Sequence, residues 1–493
     1  MDFTFNQIIS FFKHNQAEGL ETGNWGIERE THRINSDGSI ALTPHPKVLA
    51  TKKASQSITL DFAESQLEFM TKPHDKIEKV IDELNKIYDF TKKQINDELM
   101  WPFSMPPVLP DEEDIPIARF PHLADGQDKE TYREGLSVRY GKKIQMISGI
   151  HYNYSFSDQL IDQLHQAMAP EQSRQAFINQ LYMKISRNVL TYRWLITYLF
   201  GASPVVDQSY RSVFNEKMQA CQSEWFSQTF DIKEIDRYAT SLRTSRFGYS
   251  TAIEDKYHIS YNSLTEHIND LRHVLSIDNP KYEKIGVNKN GRRIQLNTKE
   301  LQSEAEFYAP IRFRQVQKED ETLLDALEQR GIQYFELRLL DLNPFDKLAI
   351  TKEQLQFIHL FVLYCLFEES NELTEIQQMN ANQNQQLVAL LGRKPNLTLI
   401  NQLGENVQLE KWALEIIEKI DRIACLLDEA IGTDKYMPIV CQMKGNIENP
   451  SLILSQQMVN EMTNANQTFA EYGIHLAKQY QLQDTKLKRV SKV

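Results

Sequence analysis

Cysteine is scarce in this chain and never clustered: Cys221, Cys365, Cys425 and Cys441 lie far apart, and no CxxC pair occurs. Such spacing offers neither a zinc ribbon nor a disulfide frame, so the four are expected to be ordinary core thiols in a reducing compartment. A GxxxxGK[ST] loop is also missing, which excludes a P-loop as the holder of phosphates. Positive charge is in deficit, with 55 Lys and Arg against 67 Asp and Glu and a net charge of -12. A surface of that sign attracts neither nucleic acid nor anionic membrane. The most apolar run, "FIHLFVLYCLF" from Phe357 to Phe367, falls well short of the ~20 residues that span a bilayer. At the N-terminus, Asp2 stands where a basic signal region would begin, and "MDFTFNQIISFFKHNQ" reads as an amphipathic helix. A cytoplasmic location is the expectation.

What is present is enough for a large core: 493 residues, 41% hydrophobic and 10% aromatic. Ile77, Val80, Ile81, Leu84, Ile87 and Tyr88 recur at helical spacing. Six prolines between Trp101 and His122 mark an ordered loop system. "KKIQMISGIHYNYSF" reads as a strand with a bulge at Gly149, and Asn290-Gly291 as the turn of a hairpin. Thr351 with Gln354 suits a capping box, and helical patterns continue over Lys411 to Ile431 and Pro450 to Leu482. No repeat, low-complexity linker or charge block divides the chain, so residues 1–493 are expected to form one α+β unit with a helical C-terminal third.

The informative stretch is "GNWGIERETHRI", Gly23 to Ile34. As a strand it puts Glu28, Glu30 and His32 on one face, opposite Trp25, Ile27 and Thr31. Two like charges about 4 Å apart repel by roughly 4 kcal/mol at an effective dielectric of about 20, which calls for a cation or water. Three other segments repeat the theme. In "LDFAESQLEFM" a strand aligns Glu64, Gln66 and Glu68, with Asp61 just before it; "GIHYNYSF" presents His151; "YFELRLL" presents Glu336 and Arg338 opposite Phe335, Leu337 and Leu339. Many carboxylates, one histidine and no cysteine cluster suit Mg2+ or Mn2+ better than zinc. An arginine beside such a site is what a nucleoside triphosphate requires. A second group suits a small zwitterion: Tyr132, Arg133, Arg139 and Tyr140 in "YREGLSVRYG", and Arg243, Arg246 and Tyr249 in "ATSLRTSRFGYS". Arginine clamps a carboxylate with two parallel hydrogen bonds, and tyrosine closes a pocket with an apolar ring and a polar tip.

Taken in order, "GIERETHRI", "DFAESQLEF", "WPFSMP", "YREGLSVRYG", "QMISGIHYNYSF", "YLFGASP", "YATSLR", "YAPIR" and "ELRLLDLNPF" resemble the proteobacterial-type glutamate-cysteine ligase family. The resemblance runs from about Gly23 to Phe345, and "GRKPNLTL" extends it to Leu399. It implies a glutamine-synthetase-like core, a curved antiparallel sheet forming a funnel for Mg2+, ATP, glutamate and cysteine. Residue by residue, it implies metal ligands at Glu28, Glu30, Asp61, Glu68, His151 and Glu336, and a phosphate-facing arginine at Arg338. Arg243 would clamp the glutamate α-carboxylate, and Phe62, Tyr132, Leu136 and Tyr249 would form the cysteine pocket. The implied reaction is ATP-dependent formation of γ-glutamylcysteine from small molecules alone, with no obligate protein partner. Around Gly248-Tyr249 the chain departs from the family pattern, which leaves room for a sister ligase using another amine. A metal-dependent hydrolase would have no use for Arg338, and a binding protein would not consume ATP. The roughly 150 residues after the motifs are expected to be too few for the second ligase domain some relatives carry.

Overall fold

In the computed structural model, which describes residues 4–50, 56–121, 123–220, 223–248 and 253–490, the alternation in "GNWGIERETHRI" forms a 12-residue strand, β1 (Gly23–Ile34). The other strands are β2 (Ile58–Leu60), β3 (Gln66–Met70), β4 (Leu99–Met100), β5 (Ile150–Phe156), β6 (Asn288–Lys289), β7 (Arg292–Arg293), β8 (Ile311–Arg314), β9 (Tyr334–Leu340), β10 (Thr398–Ile400) and β11 (Asn406–Gln408). The main sheet runs β2-β3-β1-β5-β9-β8, antiparallel at each pairing, and β4 pairs with the far end of β1. With helices covering one face, the fold is α+β, as expected.

Period-two patterning decides which face is covered. Trp25 and Tyr154 pack against His359 of the helix Lys352–Phe367, and Phe335 packs against Tyr182 of the helix Arg174–Phe200. Both helices are buried nearly all round, which explains why neither sequence shows a single polar stripe. Arg29 points to this covered face too, its guanidinium 5.3 Å from the Tyr88 ring centroid on the helix Ile77–Lys92. Burial pulls its pKa down to about 10. The opposite face carries Glu28, Glu30, His151 and Glu336.

Several local expectations hold. The N-terminal helix is Phe5–His14, the Thr351–Gln354 capping box is complete, and Asn290 and Gly291 take φ of 51° and 76° between β6 and β7. Others need correction. Strand β5 begins only at Ile150, because Lys143–Met146 forms a 3-10 turn. The irregularity placed at Gly149 lies instead between β5 and β9: one residue between Ile150 and Tyr152 faces two between Leu337 and Leu340. Glu64 is not on a strand; it sits in the turn joining β2 and β3 and accepts from His45 Nδ1 at 2.7 Å. The helix expected over Pro450 to Leu482 is broken into Leu454–Asn464 and Phe469–Val490. Among the cysteines, Cys365 is a core thiol, whereas Cys425 and Cys441 are exposed; Cys221 lies outside the described residues.

Candidate active site

Antiparallel register brings the predicted acids together. Glu28 lies directly across from His151, whose Nδ1 is 3.0 Å from Glu28 Oε2, and Asn153 Nδ2 donates to Glu28 Oε1 at 3.1 Å. Glu30 pairs with Glu68 across β1 and β3, and accepts from the Gly149 N–H at 2.7 Å. His151 is central: its Nε2 lies 3.7 Å from Glu30 and its Nδ1 3.6 Å from Glu336. Two sets of three ligand atoms, from Glu28, His151 and Glu336 and from Glu30, Glu68 and His151, each fall within 4.8 Å. Asp61, in the turn before β3, belongs to neither set, but its Oδ2 is buried without a hydrogen-bond partner. His32, which alternation puts on the same face, is a satisfied structural side chain, with Nε2 2.7 Å from the Met146 carbonyl and Nδ1 3.1 Å from Ser65 Oγ.

Crowding like charges out of water has the expected electrostatic consequence. Burial, then the Asp61 charge, pushes Glu30 up to about 8. Burial, then Glu28, Asp61 and Glu30, holds Glu68 well above the usual carboxylate range, and burial raises Asp61. Burial followed by the Arg338 charge takes His151 down to about 4, which keeps its imidazole neutral and able to offer a lone pair. Glu336 behaves oppositely. Burial opposes its charge, but Arg338 and Arg314 overcome it and hold the carboxyl well below 4.5. Arg314 Nε donates to Glu336 Oε2 at 2.7 Å, and Arg338 Nε donates to Oε1.

Arg338 occupies the bulge of β9, where two residues face His151; a bulge re-aims side chains, and here Arg338 and Leu339 both line a cleft. This cleft, about 660 Å³ and open to solvent, continues past His151 to Arg243. Arg243 is buried, 3.8 Å from Asp341, and its Nη1 and Nη2 each reach the Arg338 carbonyl at 3.4 Å. Asp341 is itself held by Ser203 Oγ at 2.7 Å and the Ala202 N–H at 2.8 Å.

The remaining predicted residues divide. Phe62 and Leu136 are buried and do not line the cleft. Tyr132 does not line it either; burial, then Tyr308 and Glu306, holds its hydroxyl well above 10. Tyr249 lies outside the described residues. Arg139 and Tyr140 are structural: Arg139 is buried against Gln295 and Glu306, and Tyr140 donates to Glu306 at 2.7 Å. Arg133 likewise bonds backbone carbonyls, at Leu60 and Lys129. Arg246 lies over the Phe226 ring at 5.4 Å. Sequence reasoning missed Arg314, whose signal was the alternation in "IRFR" opposite Glu336. It also missed Arg193, Gln385 and Gln386, which line the cleft from helices with no local motif.

Among the described residues, no helix is long and apolar enough to cross a membrane. A family model described as glutamate-cysteine ligase matches residues 8–388. The chain is 44% identical over 480 residues to a glutamate-cysteine ligase of Clostridium acetobutylicum, covering 97% of this chain and 100% of that one. It is 36% identical over 455 residues to the Pseudomonas aeruginosa PAO1 enzyme of that name, covering 92% and 84%. The crystal structure of a Francisella tularensis glutamate-cysteine ligase in complex with AMP superposes with a TM-score of 0.82 at 33% identity, covering 94% of this chain and 89% of that one. A bifunctional glutathione synthetase from Pasteurella multocida matches with a TM-score of 0.73 at 26% identity, covering 96% of this chain and 53% of that longer one.

Proposed function

The chain belongs to the glutamate-cysteine ligase family, and on that footing we propose how its own residues carry the reaction. The enzyme joins the γ-carboxylate of L-glutamate to the amine of L-cysteine, converting ATP to ADP and phosphate. The observation that carries the assignment of roles is the single sheet face on which β1, β3, β5 and β9 gather four glutamates, one neutral histidine and an arginine.

We read Glu28, Glu30, Asp61, Glu68, His151 and Glu336 as the donors that would hold Mg2+ or Mn2+. The set is oxygen-rich; Asp61 Oδ2 is a buried acceptor with no partner, and Glu30 and Glu68 resist ionisation in the absence of a cation. A divalent cation held by these donors would supply positive charge that offsets the repulsion between the anionic γ-carboxylate and the triphosphate. Arg338 is assigned to the phosphoryl group in flight, aimed by its bond to Glu336 and by the β9 bulge. A γ-carboxylate oxygen of glutamate attacks the γ-phosphorus and ADP departs, leaving a γ-glutamyl phosphate. The cysteine amine then attacks its acyl carbon, loses a proton, and phosphate leaves. No protein nucleophile takes part.

Arg243 is assigned to the glutamate α-carboxylate. Phe62, Tyr132, Leu136 and Tyr249 are assigned to the cysteine side on the family motifs that carry them, the last on sequence alone. The AMP seen in the Francisella tularensis relative supports a nucleotide site here. We treat residues 1–493 as one catalytic unit acting in the cytoplasm on small molecules alone.

The test is ADP release with Mg2+ and glutamate, adding cysteine or a panel of other amines, with the product identified by mass. Cysteine-dependent γ-glutamylcysteine is expected; dependence on another amine would overturn the acceptor. In the same assay Arg338→Ala should lower kcat by about 10²- to 10³-fold with its unfolding midpoint kept, and near-normal turnover would refute its role.

A further inference from the structure

Part of the cleft is lined by residues no motif announced. Arg193, Arg243 and Arg338 line the cleft and, among the described residues, no carboxylate side chain does, although the chain carries a net charge of -12. Arg193 stands on the helix Arg174–Phe200 and Gln385 on the helix Glu375–Leu391. Two polar rungs join these helices: Arg193 Nη2 donates to Asn382 Oδ1 at 2.6 Å, and Gln385 Nε2 donates to Thr197 Oγ1 at 2.8 Å. Arg193 and Thr197 are four residues apart and Asn382 and Gln385 three, so each pair shares one helix face and the rungs fix both side chains.

The amide of Gln385 is oriented. Its Nε2 also reaches Thr244 Oγ1 at 3.2 Å, and that hydroxyl gives its own proton to Ser241 Oγ at 2.9 Å, which leaves it an acceptor toward the amide. With the nitrogen committed, Gln385 presents Oε1. This atom is buried and has no hydrogen-bond partner, on a side chain of a residue only 4% exposed that lines the cleft. An amide oxygen only accepts, so its natural partner is a donor. A cation beside an unpaired acceptor matches a group that carries a carboxylate and an ammonium on one carbon.

We propose that Arg193 and Gln385 read the α-amino-acid head of the glutamate substrate, Arg193 joining Arg243 on the α-carboxylate and Gln385 Oε1 accepting from the α-ammonium. The inference rests on the reading that this cleft takes glutamate. A guanidinium alone binds any dicarboxylate; the added acceptor distinguishes an amino acid from one that lacks the amine, because a buried polar group left unpaired penalises the wrong ligand.

Two analogues separate the contacts: glutarate lacks the amine, and 4-aminobutyrate lacks the α-carboxylate. Each is measured as a competitor of glutamate in the Mg2+, ATP and cysteine assay, alongside KM for glutamate. Arg193→Gln should raise KM for glutamate by about 10- to 100-fold, with KM for cysteine and ATP within about twofold, and Arg193→Lys should recover part of the loss. Glutarate binding should weaken in Arg193→Gln and hold in Gln385→Met; 4-aminobutyrate should hold in Arg193→Gln and weaken in Gln385→Met. A structural role for either residue would weaken both analogues alike, and that uncrossed pattern overturns the inference while leaving the ligase reading intact. Should Arg193→Gln not fold, Gln385→Met alone decides, through whether 4-aminobutyrate weakens while glutarate holds. Absence of any γ-glutamyl product from the unaltered enzyme would overturn the ligase reading and this inference with it.

Discussion

Gly149 shows how much one missing Cβ can decide. Its N–H donates to Glu30 at 2.7 Å, and a Cβ built on it would lie 2.0 Å from Arg243 Nη2 and 2.2 Å from Cζ. The requirement is closeness, since the glycine does not take a positive φ: the Arg243 guanidinium lies flat on the backbone that positions a proposed metal ligand. In Gly149→Ala the whole guanidinium must shift by about the width of a methyl group. We expect KM for glutamate to rise about tenfold and stability to fall by about 1–3 kcal/mol, the usual range for overpacking. A glutamate saturation curve and a urea melt check both, and an unchanged KM would mean that Arg243 does not bind glutamate from this position. At this scale the sequence was legible where period two applied. Glu28, Glu30 and Glu336 were visible because strand alternation sets them against apolar neighbours. Arg193 was not, because a helix buried all round leaves no polar stripe to mark a residue that faces a cleft, and Gln385 was not, because it sits in the polar run "NANQNQQ" of its helix, where nothing local sets it apart.

Whole elements were legible where their end signals are local. The capping box at Thr351 and the Asn290-Gly291 turn need only neighbouring residues, and both formed as read. The β9 bulge was not legible, because it is a mismatch of count between two strands nearly 200 residues apart. The β2–β3 turn, read as strand, was captured by long-range partners: Glu64 holds His45 and the Arg119 N–H at 2.9 Å, so the chain bends before Gln66. Arg133 supplies the other half of that capture from the helix Gly126–Tyr140. Its Nη2 donates to the Leu60 carbonyl at 3.0 Å, its Nε donates to the Asp61 carbonyl, and its guanidinium lies 4.6 Å from the Phe120 ring centroid. It thus fixes the backbone that carries Asp61 without touching the sheet face. Arg133→Ala should raise the Mg2+ concentration for half-maximal rate by about tenfold, as loss of a supporting partner does at metal sites, while KM for glutamate changes little. A Mg2+ titration of ADP release decides it; an unshifted midpoint would show that Asp61 is held by other means or is not a ligand.

Across the molecule, burial makes Glu30 on one face of the sheet and His359 on the other respond to pH in opposite senses. On the open face Glu30 is raised from 4.5 to about 8, so its contribution to stability is full below 4.5 and lost as pH rises through 8. On the covered face burial lowers His359 from 6.5 to about 4. Its Nε2 is 2.8 Å from the Leu20 carbonyl and its Nδ1 is buried with no partner, so a second proton would find no acceptor. A depressed histidine stabilises fully above its unfolded value of 6.5 and progressively less as pH falls toward 4, because the unfolded chain takes up the proton first. The opposing carboxylates mask this in a bare pH profile, and a variant removes the mask. The stability advantage of the unaltered protein over His359→Gln, from urea unfolding, should shrink by about 1.4 kcal/mol between pH 7.5 and 5.5, since every other titration is common to both. A constant advantage would mean that the imidazole charges in the folded state as readily as in water, and that the helix Lys352–Phe367 does not seal the back of the sheet.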